Sequence, residues 1–157
     1  MMTNSHSKIY IGIDPGKSGA ICVIEDDFIK AYPCPDNVKD MGLLFAMAIS
    51  VNETKTVVAY IEKVWARPTD GKSSIWKFAE NYGMWFGIAG AYEIDLETVS
   101  PQRWIKYFDT PKLDKTRRKR YLRDKARSMY PDLKKVTLKT ADAILIATYA
   151  KEINNNS

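Results

Sequence analysis

Histidine is almost missing from this chain. Of 157 residues only one is histidine, His6, in the polar opening MMTNSHSK. A Ser-His-Asp or Cys-His nucleophile, or a histidine-rich zinc site, would have to draw on it. A residue ahead of the first strand is badly placed for that, so any chemistry should rest on carboxylates and lysines. Carboxylates in turn imply hard, oxygen-liking metals such as magnesium. Cysteine is scarce as well. Cys22 and Cys34 show no metal-type spacing and are too few for a disulfide framework, which suits a reducing cytoplasm. Long apolar runs are absent: none approaches the roughly 18 residues that a membrane span needs. The opening segment has no apolar stretch of the signal-peptide kind. Neither repeats nor low-complexity segments occur, apart from the terminal NNNS.

What is present is an ordinary globular balance, 45% apolar and 27% charged. The expected organisation is one domain over 8–153, with loose tails at 1–7 and 154–157. The net charge of +5 is unevenly placed. Between Lys112 and Lys135 stand eleven lysines and arginines against three aspartates (Asp114, Asp124 and Asp132), leaving thirteen bases against sixteen acids elsewhere. A solvated helix face needs fewer charges than that. A basic block on a mildly acidic body points to a polyanion such as nucleic acid.

Hydrophobic patterning predicts strands at Lys8 to Asp14 and Ala20 to Glu25, joined by a Pro-Gly turn, and a third from Phe28 to Tyr32. A helix beginning at Asn37 or Asp40 should run to about Ser50, followed by a β-branched strand from Thr56 to Glu62. Lys72 to Tyr92 is the clearest helix, with Ile75, Phe78, Ala79, Tyr82, Trp85, Phe86 and Ala89 at three- and four-residue steps. Beside them runs a stripe of Ala79, Gly83, Gly87 and Gly90. Glycine costs about 1 kcal/mol per helical site relative to alanine, so the stripe should have a reason. The plainest is close packing of helix on sheet; the other is a seam between two subunits. Ile94 to Val99 should form a fifth strand, Pro101 to Trp104 a short helix and Asp114 to Met129 a basic helix. A last helix should be capped by Thr140. The expected order, β-β-β-α-β-α-β-α-α, is an antiparallel hairpin leading into a βαβ sheet, an α/β fold.

Three acids stand at notable places. Asp14 ends the first strand, Glu62 ends the strand TVVAYIE, and Asp142 sits in the first turn of the apolar final helix. Each alone has an ordinary explanation: turn chemistry, a solvated strand end, or the helix macrodipole. Together they say more, because neighbouring strands and a helix crossing the sheet can bring all three to one spot. Carboxylates so packed repel unless cations lie between them. A pair of Mg²⁺ ions would satisfy them and suit in-line phosphodiester cleavage.

The stretches IGIDPGKSGA at 11–20, YIEKVWARP at 60–68, GKSSIWKFAENYGMWFGIAGAYEI at 71–94, VSPQRWIK at 99–106 and TADAILIATYA at 140–150 run in order along nearly the whole chain. In these the sequence resembles the RuvC-like Holliday junction resolvases, most closely the short bacteriophage-encoded versions. The resemblance implies a ribonuclease H-like fold and a homodimer through helix 72–92. It implies cleavage of four-way junctions, and by extension forks, with two Mg²⁺ ions per active site, for which Mn²⁺ can substitute. It also implies that Asp14, Glu62 and Asp142 are metal ligands, and that the work is done in the cytoplasm, the host's if the chain is phage-encoded.

One departure stands out. Three residues before the last aspartate, where bacterial members usually carry a fourth acidic or histidine residue, this chain has Lys139. A protonated lysine cannot ligate a metal. Its ammonium either stays solvated or contacts the scissile phosphate or the water, replacing part of a metal's charge. For DNA, Arg67, Lys72 and Ser73 lie on the loop after Glu62 and at a helix N-terminus, suited to phosphates. Lys112, Lys115, Arg118 and Lys119 open the basic segment and can hold the other backbone. Trp65 is a candidate for stacking on an unpaired base, or else a core tryptophan. IGIDPGKSG also resembles the first phosphate loop of actin-like ATPases and sugar kinases, but those need a chain about twice as long. A non-cleaving DNA-binding module and a broader ribonuclease H-like nuclease remain as alternatives.

Overall fold

The computed structural model describes residues 7–49 and 55–157; His6 and Ser50 lie outside them. Strand β1 (Lys8–Asp14) is apolar on both sides: Ile9, Ile11 and Ile13 point one way, Tyr10 and Gly12 the other. It therefore needs cover on both faces, and a central position supplies it. The chain reverses into β2 (Ala20–Glu25) and again, through Asp26 in the left-handed region, into β3 (Phe28–Pro33). Both pairings are antiparallel. Helix α1 (Val38–Ile49) starts at Asn37, whose side-chain oxygen accepts from Asp40 N–H at 2.9 Å. Strand β4 (Thr56–Glu62) then returns parallel to β1. After helix α2 (Lys72–Ala91), strand β5 (Leu96–Val99) lies parallel to β4, so the sheet order is β3-β2-β1-β4-β5. This is the mixed sheet of hairpin plus βαβ that the patterning predicts.

Three helices follow β5 at the three places the patterning predicts: α3 (Pro101–Tyr107), α4 (Lys115–Met129) and α5 (Ala141–Asn155). The turn after Pro101 continues a further turn past Trp104, and α5 extends two residues beyond Ile153. Helices α1 and α2 cover one face of the sheet over Ile9, Ile11, Ile13, Ile21 and Ile61. On the other face α5, almost wholly buried from Ala143 to Ala150, packs on β1, β2 and β4 and is backed by α3 and α4. Among the described residues no helix is long and apolar enough to cross a membrane.

Three local expectations are corrected. Strand β5 starts at Leu96 because the amide of Ile94 is engaged in closing α2, donating to Ala89 O at 2.9 Å. The glycines of α2 do not pack on the sheet: a Cβ at Gly83, Gly87 or Gly90 would meet nothing within 4 Å. The helix buries Trp85 and Ala89, with Ile75, Phe78, Tyr82 and Ile88 partly covered, whereas Ala79, Phe86 and the glycines are exposed. A third detail concerns Thr140. It holds the N-cap position, but its hydroxyl accepts from Thr137 N–H at 3.1 Å and caps no amide of α5.

Candidate functional site

Side chains alternate along a strand, and this parity sets the site. Asp14 follows Tyr10 and Gly12 onto the face covered by α5, and Glu62 follows Val58 and Tyr60 onto the same face. The register pairs Ile13 with Ile61 on neighbouring parallel strands, so Asp14 and Glu62 come next on each, side by side at one end of the sheet. Helix α5 crosses β1 at Gly12. A Cβ there would stand 2.5 Å from the carbonyl oxygen of Ala143 and 2.8 Å from the Cα of Ala147. Only glycine admits so close a backbone, and the close approach brings the first turn of α5, with Asp142, down onto the strand ends.

The turn behind Asp14 is held from two sides. A Cβ on Gly19 would collide with the Asp14 carbonyl, and Gly16 has φ +107, a left-handed conformation that glycine tolerates. The Gly16 N–H donates to Asn81 Oδ1 on α2 at 2.7 Å, and Asn81 Nδ2 reaches Cys34 Sγ at 3.3 Å.

The three acids are partly buried and feel one another. Burial, then the charges of Asp142 and Glu62, hold the Asp14 carboxyl well above the usual carboxylate range, against the pull of the Lys119 ammonium. Glu62 is pushed up to about 7 by burial and by Asp142, against a hydrogen bond from Trp104 and the charges of Lys119 and Arg118. Asp142 is raised by burial, again opposed by Lys119 and Arg118. The Trp104 indole donates to Glu62 Oε2 at 2.8 Å. As they stand, the acids do not close on one point: among the described residues no three His, Cys, Asp or Glu side chains are grouped tightly enough to hold a metal ion. The chemistry of the set, three oxygen donors in a half-buried spot with cations only at its border, nonetheless suits a hard divalent ion.

Beside Glu62 opens a cleft of about 790 Å³ between the loop after β4, α2 and α3. Trp65, Arg67, Lys115 and Arg118 line it together with Glu62, over a floor that includes Ile75, Phe78 and Tyr82. Trp65 is 57% exposed, which rules out a core role. Lys72 and Ser73 are exposed at the start of α2, and Lys112 is exposed ahead of α4; none of the three lines the cleft. Lys119 is exposed, and its charge registers on all three acids. Lys139 is exposed, and its charge registers on Cys34 and not on the three carboxylates. Within the basic block Arg127 serves the fold, donating to Val136 O at 2.9 and 3.1 Å.

Sequence reasoning missed Gly12, Asn81 and Trp104. For Gly12 a signal existed, since an isolated glycine in a strand pattern marks a close backbone approach. Asn81 and Trp104 act across 65 and 42 residues, and no local pattern announces either.

No protein-family model matches the chain, and no curated protein matches it in sequence. Solved structures share its architecture, two of them RuvC. T. thermophilus RuvC in complex with a Holliday junction substrate matches with a TM-score of 0.64 at 12% identity, over 95% of this chain and 96% of that one. Thermus thermophilus RuvC matches with a TM-score of 0.58, also at 12% identity, over 93% of this chain and 96% of that one. The chain has the ribonuclease H-like fold that RuvC has.

Proposed function

We propose that this chain is a divalent-metal-dependent endonuclease that cleaves Holliday junctions and related branched DNA, working as a homodimer in the cytoplasm. The observation that carries the reading is that Asp14, Glu62 and Asp142 lie within electrostatic reach of one another, Glu62 lining a cleft that Arg67, Lys115 and Arg118 also line. In that reading the three carboxylates are the ligands of two Mg²⁺ ions, with Mn²⁺ as substitute. Ions held there would supply the activated water and offset the charge on the leaving 3′ oxygen in phosphodiester hydrolysis. Arg67, Lys115 and Arg118 hold phosphates along the cleft, with Lys72, Ser73 and Lys112 extending the track. The charge of Lys119 reaches all three acids, which suits it to steady charge next to the scissile phosphate; Lys139 enters as a second cation for the phosphate or the water. Trp65, exposed at the cleft, stacks on an unpaired base at the branch.

The complex of T. thermophilus RuvC with a Holliday junction supports the choice of substrate by likeness of fold, and the motif stretches support kinship with the short bacteriophage versions. The open face of α2, with three glycines, Phe86 and a 73% exposed Trp76, supports the dimer. An isologous pair would set two sites symmetrically on a four-way junction.

Cleavage of an end-labelled four-way junction in Mg²⁺, run beside Y-forks, duplex and RNA–DNA hybrid, tests the reading. Paired nicks in the junction, lost in Glu62→Gln, are expected. The looseness of the three acids as they stand favours one rival, a module that binds branched DNA without cutting it. Junction binding with no cleavage in either Mg²⁺ or Mn²⁺ would establish that rival.

A further inference from the structure

The strand register that joins β4 to β5 pairs Glu62 with Val99, the last residue of β5. Ser100 caps α3 directly after it, its hydroxyl accepting from Arg103 N–H at 3.3 Å, and Pro101 fixes the first turn. One turn later comes Trp104, and its indole returns over Glu62. The ring is 1% exposed and packed in the cluster that includes Val99, Phe108, Leu122, Ala126 and Ala141. A buried indole N–H needs a partner, and this one has Glu62 Oε2 at 2.8 Å. Among the described residues no other hydrogen bond reaches the carboxylate of Asp14, Glu62 or Asp142.

We propose that Trp104 is a positioning residue for divalent-ion binding: its buried N–H anchors Glu62 Oε2 and leaves Oε1 free as the ligating oxygen. The inference rests on the reading that the three acids hold a divalent ion. A glutamate side chain has three rotatable bonds, and an unanchored one must be ordered when the ion arrives. A donor fixed in the core removes that cost beforehand, as outer partners of metal ligands do elsewhere. The hydrogen bond takes one lone pair of Oε2 and leaves both lone pairs of Oε1 open.

Calorimetric titration with Mn²⁺, without DNA, compares the parent with Trp104→Phe and Glu62→Gln. Trp104→Phe keeps an aromatic ring in the core while removing the N–H donor and part of the indole's volume, so its melting midpoint is measured alongside. A dissociation constant raised by about tenfold or more is expected for it, with junction affinity in EDTA unchanged. A value within about twofold of the parent, while Glu62→Gln loses binding, leaves the nuclease reading standing and overturns the role of Trp104. A parent that binds no Mn²⁺ at millimolar concentration overturns both. A second measurement needs no Trp104 variant. Of the four indole N–H resonances in ¹⁵N spectra, the one displaced by Glu62→Gln is Trp104. It should shift on titration of the parent with Mg²⁺. A resonance that stays fixed to saturation shows a merely structural contact.

Discussion

Gly12 of β1 and Ala147 of α5 meet backbone to backbone, so that a methyl group on residue 12 would fall 2.8 Å from the Ala147 Cα and nearer still to its nitrogen. The contact governs how low α5 sits on the sheet, and with it the height of Asp142 above Asp14. Gly12→Ala has to lift the helix. Overpacking of this kind costs about 1–3 kcal/mol, so the thermal midpoint should drop. Cleavage should fall further than stability explains, because a misplacement of about 1 Å at a reacting centre can cost on the order of 100-fold. Stability within about 0.5 kcal/mol of the parent, which is the scale of surface substitutions, would mean that α5 does not approach so closely.

Neutralising any one acid should separate chemistry from folding. Asp14→Asn, Glu62→Gln and Asp142→Asn should each abolish junction cleavage and keep or tighten junction binding, since repulsion of the phosphate falls. Near-normal cleavage by one variant removes that residue from the site.

The same acids make metal-free stability depend on pH. Folding raises Glu62 from the ordinary 4.5 to about 7. Between those values the folded protein retains a proton that the unfolded chain has released, so stability is greatest below about 4.5 and declines as pH climbs to about 7. At ~1.36 kcal/mol per pH unit the decline from this group is at most about 3 kcal/mol. Asp14 and Asp142 are shifted in the same direction and add to it. Melting in EDTA should therefore give a lower midpoint at pH 8 than at pH 5.5, and Glu62→Gln should flatten the slope. Mg²⁺ should restore more stability at pH 8 than at pH 5.5, because protons compete with the ion. A midpoint independent of pH would contradict the burial of these carboxylates.

Exposed glycines in α2 give a two-sided test of the subunit seam. Gly83→Ala meets open space and should stabilise the isolated fold by about 1 kcal/mol through helix propensity. Gly83→Leu, placed on the same open face, should shift sedimentation from dimer to monomer at micromolar concentration. A parent that sediments only as monomer, alone and with junction DNA, removes the seam.

Two lysines compete for the role of charge donor. Lys119 acts on all three carboxylates, whereas the charge of Lys139 falls on Cys34. In single-turnover reactions at saturating enzyme, Lys119→Ala should slow cleavage on the order of 100-fold. The loss in Lys139→Ala should be smaller, and a rate within about twofold of the parent returns that residue to the solvated surface.

The architecture was largely legible because its elements are strongly patterned. β1, β2 and β4 are short β-branched runs ended by an acid, and α2 and α5 carry apolar residues at helical steps. The placement of Asp14 beside Glu62 follows from strand parity and register, which the pattern implies once β1 and β4 are taken as neighbours, whereas that of Asp142 depends on how α5 crosses Gly12. Orientation around α2 was not legible. Its residues are mixed on every side, so composition alone could not tell whether the glycines faced the sheet or solvent. The partnership of Trp104 with Glu62 depends on how β5 seats beside β4, a tertiary fact with no local signature.

Helix α5 supplies much of one core layer and also carries the third acid. A ribosome must therefore make more than 140 residues before the last of Asp14, Glu62 and Asp142 exists. A nascent chain with β1 to β5 already paired still presents two acids and an uncovered sheet face. The step that buries that face is the same step that brings Asp142 to it. If the chain is the nuclease proposed above, this ordering withholds the third acid from any chain not yet made as far as α5.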